Sequence, residues 1–401
     1  MKWKTESLGE IALMTSGGTP SKKNPEYYEK GTIPWVRSGD LENGAIHDTE
    51  IKITQAGLDN SSAKIFPRGT LLIALYGATI GKLAWLDIDA CTNQAVCGIF
   101  ENEKVSLKYL YYYLLLHRPD LIKQGVGGAQ ANISQTILKK LMVSYPVDMD
   151  EQLRIVARIE EMFSELDNGV ETLRKTKQQL AVYRQSVLND AFAVCSERKS
   201  VGSVCTHVTD GDHMPPPKAA SGVPFVMISN IDGNRIDFSE TAFVGREYYE
   251  KIDSKRRPQF GDVLYTVTGS FGIPVLIDYG KEFCFQRHIA LLRPNDSILS
   301  EYLYYAMQAP IVYAQATKGA TGTAQKTVGL TVLRKILIPY TASKMEQARI
   351  VRDVESKMSV CDSIEKTIDT ALQQAEAMRQ SILKKAFEKK NIERRKKEWH
   401  G

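Results

Sequence analysis

Glu151-Gln152-Leu153-Arg154-Ile155-Val156 returns 195 residues later as Glu346-Gln347-Ala348-Arg349-Ile350-Val351. The repeat extends outward in both directions. Downstream, Arg184-Gln185-Ser186-Val187-Leu188 and Ala191-Phe192 match Arg379-Gln380-Ser381-Ile382-Leu383 and Ala386-Phe387, again 195 apart. Upstream, Tyr109-Leu110-Tyr111-Tyr112 returns as Tyr302-Leu303-Tyr304-Tyr305 after 193 residues, and Ile33-Pro34-Trp35-Val36 as Val223-Pro224-Phe225-Val226 after 190. Leu141-Met142-Val143-Ser144-Tyr145-Pro146 closes one copy as Ile336-Leu337-Ile338-Pro339 closes the other. A near-constant offset over most of the chain is a duplication. Its period is far above the roughly 20–50 residues of solenoid repeats, so each copy is a domain plus its connector.

Each copy changes character near its end. Residues 151–192 contain no proline and one glycine. Apolar residues fall at Val156, Ile159, Phe163, Leu166, Val170, Leu173, Leu180 and Val187, in steps of three and four, with Lys177 and Arg184 interrupting. The second copy runs Val351, Val354, Met358, Cys361, Ile368, Leu372, Ala375 and Ile382. This spacing predicts two long helices, each with one heptad seam. A polar helix with a single seam needs a partner. The other copy is the obvious one, and antiparallel pairing would put a globular domain at each end of a rod. The alternative is that each helix packs on its own domain. Gly169, in Asp167-Asn168-Gly169, is a candidate kink in the first helix, since Gly costs about 1 kcal/mol relative to Ala.

The globular parts read as mixed α/β. Strands are predicted at Ile33–Arg37, Thr70–Leu75 and Ala95–Phe100, with counterparts at Phe225–Ile228, Asp262–Val267 and Ile289–Leu292. Helices are predicted over Leu107–His117 and Ser300–Gln308. Gly-rich loops lie at Thr15–Pro20 and Gly125–Gln130.

Several function classes lack their signatures. The longest apolar runs are short, such as Leu71–Leu75, well below the ~20 residues of a membrane span, and the N-terminus has no apolar signal core. The six cysteines form no C-x-x-C pair, so reduced thiols in a cytoplasmic protein are expected, with no metal site. Gly77-Ala78-Thr79-Ile80-Gly81-Lys82 has three residues between its glycines and Leu83 after the lysine. A phosphate loop needs four and a hydroxyl residue, so a structural turn is expected. Ile338-Pro339-Tyr340 lacks the acid or amide and the second proline of an amino-methyltransferase motif, and reads as a strand end. No G-x-G-x-x-G, G-x-S-x-G or H-E-x-x-H is present. Neither catalytic residues nor a cofactor are expected. The net charge of +5 is compatible with nucleic acid without arguing strongly for it.

The ordered strings resemble type I restriction–modification specificity subunits across nearly the whole chain. In the first copy they are Ser16–Ser21 through Asn24–Tyr28, Ile33–Asp40, Tyr76–Gly81, Asn93-Gln94 and Gln130–Ser134. In the second they are Thr209–His213, Thr268–Gly272, Gln286–His288 and Gly319–Gly322. Pro215-Pro216-Pro217 replaces the Gly-rich stretch of the first loop, which suits two domains reading different sequences. The resemblance implies an α+β fold, two α/β target-recognition domains joined by two long antiparallel coiled-coil-like helices with internal pseudo-two-fold symmetry. It divides the chain into residues 1–150, a spacer helix in 151–199, residues 200–343, and a second helix with a basic tail in 344–401. It also implies a non-enzymatic, cytoplasmic subunit that binds double-stranded DNA, two modification subunits and restriction/translocase subunits. A fused methyltransferase or nuclease and a coiled-coil scaffold without DNA are the rival readings. A scaffold leaves two domain copies that differ mainly in loops unexplained.

Base edges are read by Arg, Asn, Gln, Ser or Thr on loops, with Lys or Arg nearby for phosphates. Lys22, Lys23, Arg37, Ser38, Tyr76, Thr79, Gln94, Gln130 and Asn132 fit in the first half. His213, Lys218, Thr268, Ser270, Arg287, His288 and Gln325 fit in the second. Each also fits a solvated surface residue or a polar group satisfying a turn. The tyrosines at 109, 111–113, 302, 304 and 305 could form a stacking platform, but their helical spacing favours core packing. The basic stretch Lys384–Glu398 reads as a solvated helix end.

Overall fold

A computed structural model describes residues 2–125, 132–323 and 325–388. The chain divides into two compact units, Met1–Glu171 with Ala371–Gly401, and Thr172–Thr370. Each combines a globular half with segments of both long helices, which run Met149–Ala193 and Lys344–Phe387.

In the first unit, strands Met14–Ser16, Val96–Ile99, Leu71–Ala74, Leu83–Leu86 and Ala45–Ile46 form one sheet in that order. Lys52–Ile53, Ile33–Val36, Ala90–Thr92 and Ile65–Phe66 form a second. Leu71–Ala74 is buried on both faces, which is why it reads as an unbroken apolar run. Its alternate residues serve two cores. Leu71 and Ile73 join Tyr109 and Leu110 of the helix Leu107–Gln124, whereas Leu72 and Ala74 join Val36 and Phe66. The second unit repeats this division with Val263 and Tyr265 on one side and Leu264 on the other. Its sheets are ordered Cys205–Asp210, Ile289–Pro294, Val263–Thr266, Pro274–Leu276, and Lys218–Ala219, Ala242–Val244, Val223–Val226, Cys284–Phe285.

Within each unit the long helices run antiparallel. In the second, Lys177 meets Asp369 at 2.7 Å and Arg184 meets Glu365 at 3.0 Å and Asp362 at 2.7 Å. The two residues that interrupt the seam are therefore answered across it. In the first, Arg379 pairs with Asp167 and lies over the Phe163 ring. The seam residues Val156, Ile159, Phe163, Leu180, Val187, Val354, Cys361, Ile368 and Ile382 are buried. Each helix start also packs on its own half, so the alternative reading holds in part. Ile155, Val156 and Ile159 share a core with Tyr109, and so do Ile382 and Leu383 from the end of the other helix.

Three local expectations needed amending. The first helix runs through Gly169 without a break, because the roughly 1 kcal/mol that Gly costs is outweighed by the buried seam residues on either side, such as Phe163 and Leu180. The helix expected to stop at His117 continues through Pro119 to Gln124, anchored by buried Leu121. In the second unit proline does act as a boundary: Ser300–Gln308 ends, and Pro310 opens a new helix. The strands Glu197–Ser200 and Leu337–Tyr340, paired antiparallel, show that the first half of this pair went unread in sequence.

Gln152 and Gln347 explain the repeated motif. Both are fully buried. The Gln152 amide donates to the carbonyls of Pro146 and Lys104 at 2.9 and 3.0 Å and accepts from the Ser106 N–H at 2.9 Å. Gln347 donates to Thr341 and Ser297 at 2.8 and 3.0 Å and accepts from Leu299 N–H at 2.8 Å. One side chain thus ties the helix start to the strand before it and to the loop entering the domain helix.

Candidate nucleic-acid interface

Five chain segments of the first half converge on one edge. The Gly17 N–H donates to Val96 O at 3.3 Å and Gly18 N–H to Thr92 O at 2.9 Å. A Cβ on Gly17 would lie 2.0 Å from the Thr92 carbonyl oxygen, so only glycine fits this close approach. The next turn is pinned by Asn93 N–H to Val36 O at 2.9 Å and Val96 N–H to Asn93 O at 3.1 Å. Leu75 N–H bonds Ala95 O at 2.7 Å, Ile133 N–H bonds Leu75 O at 2.8 Å, and Tyr76 bridges to Asn132. The loop after Ser16, the start of Arg37-Ser38, the turn at Gln94, and Tyr76 with Asn132 are thereby brought together.

The second half repeats these bonds with other residues. Gly211 N–H donates to Ile289 O at 3.3 Å and Asp212 N–H to Phe285 O at 2.8 Å. A Cβ on Gly211 would lie 2.0 Å from Phe285 O. Gln286 N–H bonds Val226 O and Ile289 N–H bonds Gln286 O, both at 3.0 Å. Val267 N–H bonds His288 O at 2.9 Å, Val328 N–H bonds Val267 O at 2.8 Å, and Thr268 bridges to Thr327. The edge is the same; Gln94 is replaced by Arg287, Tyr76 by Thr268, Asn132 by Thr327 and Arg37 by Met227.

The side chains fall into groups. Lys22, Lys23, Gln94, Asn132, His213, Lys218, Ser270, Arg287 and Gln325 are exposed. Ser38, Tyr76, Thr79 and His288 are half-buried. Gln94 Oε1 accepts from the Thr19 hydroxyl. His213 Nε2 sits 3.0 Å from Asp210. Burial, and after it the Arg287 charge, lowers the His288 pKa, so this ring is neutral at neutral pH. Two candidates have internal partners. Arg37 is engaged by Asp40 at 2.9 Å and Glu50 at 2.8 Å, which hold its guanidinium charged. Thr268 is 8% exposed, with its hydroxyl 3.3 Å from that of Thr327. Gln130 lies outside the described residues, as does the basic tail from Lys389 onward. Thr19 and Thr327 were missed; the repeat offset that pairs Thr327 with Asn132 could have found the latter.

Other residues serve the interior. Gly77–Lys82 joins strands Leu71–Ala74 and Leu83–Leu86, with Gly77 and Gly81 at φ of 87° and 72°. It is a hairpin turn, whereas a phosphate loop leads into a helix. Tyr109 and Tyr302 are fully buried, and their hydroxyls donate to the carbonyls of Ser144 and Pro339 at 2.8 and 3.2 Å. They are core posts. All six cysteines are free and buried, and burial pushes the Cys97, Cys205 and Cys284 thiols up to about 12. Among the described residues no group of three or more His, Cys, Asp or Glu could hold a metal ion, and no helix is long and apolar enough to cross a membrane.

The family model for the type I restriction modification DNA specificity domain matches twice, over residues 1–181 and 199–374. The type I restriction enzyme EcoR124I/EcoR124II specificity subunit of Escherichia coli is 30% identical over 175 residues, 42% of this chain and 42% of that protein. The chain's match thus spans less than half of that relative's length. The EcoKI specificity subunit of Escherichia coli strain K12 is 24% identical over 421 residues, 96% of this chain and 88% of its own. A chain solved in work on complex assembly and conformational transition of the type I R-M system shares the fold with a TM-score of 0.76 at 19% identity, over 96% of this chain and 98% of that one.

Proposed function

We propose a DNA-reading role for this chain, which belongs to the type I restriction modification DNA specificity family. Each globular half reads its own short segment of double-stranded DNA, and together they define an asymmetric, two-part target. The chain performs no chemistry; it directs two modification subunits, and restriction/translocase subunits with them, to that target in the cytoplasm. Residues 1–150 and 200–343 are the two readers, and the helices of 151–199 and 344–401 join them. The candidate contacts are the exposed and half-buried polar side chains of the two convergent edges.

The observation that carries this reading is one backbone edge built twice with different side chains. A dimer of identical readers takes a palindrome, whereas two unlike readers on one chain take an asymmetric site. Hydrogen-bonded turns hold the reading side chains at fixed positions, as base-edge recognition requires. The scaffold reading gives no reason for a fixed edge to carry differing polar residues.

The test is co-expression with modification subunits and mapping of methylated sites across a genome. Replacing residues 1–150 by the corresponding region of a relative should change one half-site and leave the other intact. A palindromic target, or changes in both half-sites, overturns independent reading. Methylation or cleavage by the purified chain alone overturns the non-catalytic assignment.

A further inference from the structure

The turns Asn93–Ala95 and Gln286–His288 are one turn in two copies. Each is entered by an N–H bonded to a carbonyl at the end of a parallel neighbour strand: Asn93 to Val36 at 2.9 Å, Gln286 to Val226 at 3.0 Å. Each closes on itself, Val96 to Asn93 and Ile289 to Gln286. The second copy is held further by Arg287 N–H to Asp212 O at 3.0 Å. The middle residue is exposed in both, and it is Gln94 in one and Arg287 in the other.

These side chains stand in unlike states. The guanidiniums of Arg37, Arg256 and Arg293 are each answered within their own half, by Asp40 and Glu50, by the carbonyls of Asp210 and Gly211, and by Asp262. The Arg287 guanidinium has no partner among the described residues, and the neighbouring His288 ring is held neutral by burial and by that charge. A free fork on a rigid turn matches the two acceptors, O6 and N7, that guanine shows in the major groove. The Thr19 hydroxyl donates to Gln94 Oε1, which leaves the NH2 and one lone pair of this exposed side chain without a partner among the described residues. That donor–acceptor pair matches N7 and the N6 amine of adenine.

We propose that Gln94 and Arg287 are equivalent reading residues: Arg287 selects a guanine in one half-site, and Gln94 selects an adenine at the corresponding place in the other. This rests on the DNA-reading role above. The turn, the same in both halves, sets which base is reached, and the side chain sets which base is accepted.

The experiment uses the full chain with its modification subunits, methylation mapping, and binding to duplexes carrying the mapped site. R287Q should lose a single guanine from one half-site, at a cost of about tenfold or more in preference, and accept adenine there. Q94R should exchange one adenine for guanine in the other half-site. With the wild-type chain, 7-deazaguanine placed in turn at each guanine of the half-site read by residues 200–343 should weaken binding at one of them, because it removes N7; this measurement needs no variant to fold, and no effect at any guanine overturns the assignment. If the wild type shows no two-part target, the DNA-reading role itself fails. If it does, and R287Q leaves every letter unchanged while weakening all sequences alike with a shallower salt dependence, Arg287 is a phosphate contact and this assignment is overturned.

Discussion

Gln152 and Gln347 make the same three hydrogen bonds in the two halves, whereas Thr70 and Asp262, equally matched in backbone, have parted company. Gly69 N–H bonds Leu86 O at 2.7 Å, and Gly261 N–H bonds Ile277 O at 2.8 Å. Leu86 N–H then bonds Thr70 O, and Ile277 N–H bonds Asp262 O. Around this shared frame the first half places the Thr70 hydroxyl on Pro67 O and sets Phe100 against Phe66 at 5.3 Å. The second places Asp262, 2% exposed, against Arg293 at 2.8 Å. The backbone frame is thus kept between copies, with Gln152 and Gln347 as part of it, whereas the Thr70 hydroxyl and the Phe66–Phe100 contact give way to the Asp262–Arg293 pair. The reading edge follows the same rule, with its backbone bonds kept and its Gln94 and Arg287 exchanged.

The largest expected effect comes from the kept residue. Gln347→Leu removes the Gln347 partner of the Thr341 carbonyl and the Leu299 N–H and leaves the Ser297 carbonyl only the Tyr340 hydroxyl at 3.3 Å; at about 1–3 kcal/mol for each lost partner, a loss of about 4 kcal/mol is expected. Gln152→Leu should cost the same within about 1 kcal/mol, since its three bonds are matched. Urea unfolding of both variants measures this. A large effect in one copy and none in the other would break the equivalence.

The exchanged pair should behave otherwise. Asp262→Ala leaves Arg293, with 17% of its side chain exposed, facing an empty site, at a cost of about 3–4 kcal/mol. The double variant carrying the first-half residues, D262T with R293F, should recover most of that loss, because apolar replacement of a buried ion pair is often neutral. Hydrogen exchange on the strand Val263–Thr266 locates the effect. A double variant as weak as D262A would mean that the surrounding core has diverged too far to accept its counterpart.

The fold was legible because its signals are periodic. The seam residues recur every three or four positions over both helices, and the central strands are continuous apolar runs, so neither depends on knowing what lies opposite. The reading edge was legible as a list of residue types and illegible as a set of partners. Arg37 and Arg287 look alike in sequence, yet Asp40 and, thirteen residues beyond Arg37, Glu50 answer the one, while the other is left free. Thr268 belongs to the same list and is buried because Thr327 arrives from a distant loop. Pairings across such separations leave no periodic trace. The short strand Glu197–Ser200 was missed for a related reason, since it is a charged edge whose only strand character comes from its partner Leu337–Tyr340.

The smallest expected effect concerns the arginines on the helix seam. Arg184 and Arg379 occupy equivalent positions, 195 apart, and each pairs with the matching aspartate of the other helix, Asp362 or Asp167. Their side chains are 24% and 29% exposed, so solvent and salt screen both pairs, and each is worth about 1 kcal/mol or less. They differ in what lies beneath. Arg184 meets the Met358 sulfur at 3.9 Å, whereas Arg379 lies 5.1 Å from the centre of the Phe163 ring. Arg184→Met removes the charge and leaves a sulfur-to-sulfur apolar contact, so its cost should shrink towards zero as salt rises. Arg379→Met removes a cation from an aromatic face, an interaction of about 0.5–1 kcal/mol beside the ion pair, while keeping an apolar contact with the ring. Thermal melts at low and high salt separate the contributions. Equal salt dependence with a larger residual loss for R379M supports the assignment. Identical melts for the two variants at high salt would show that the ring adds nothing, and that the two seam positions remain as interchangeable as Gln152 and Gln347.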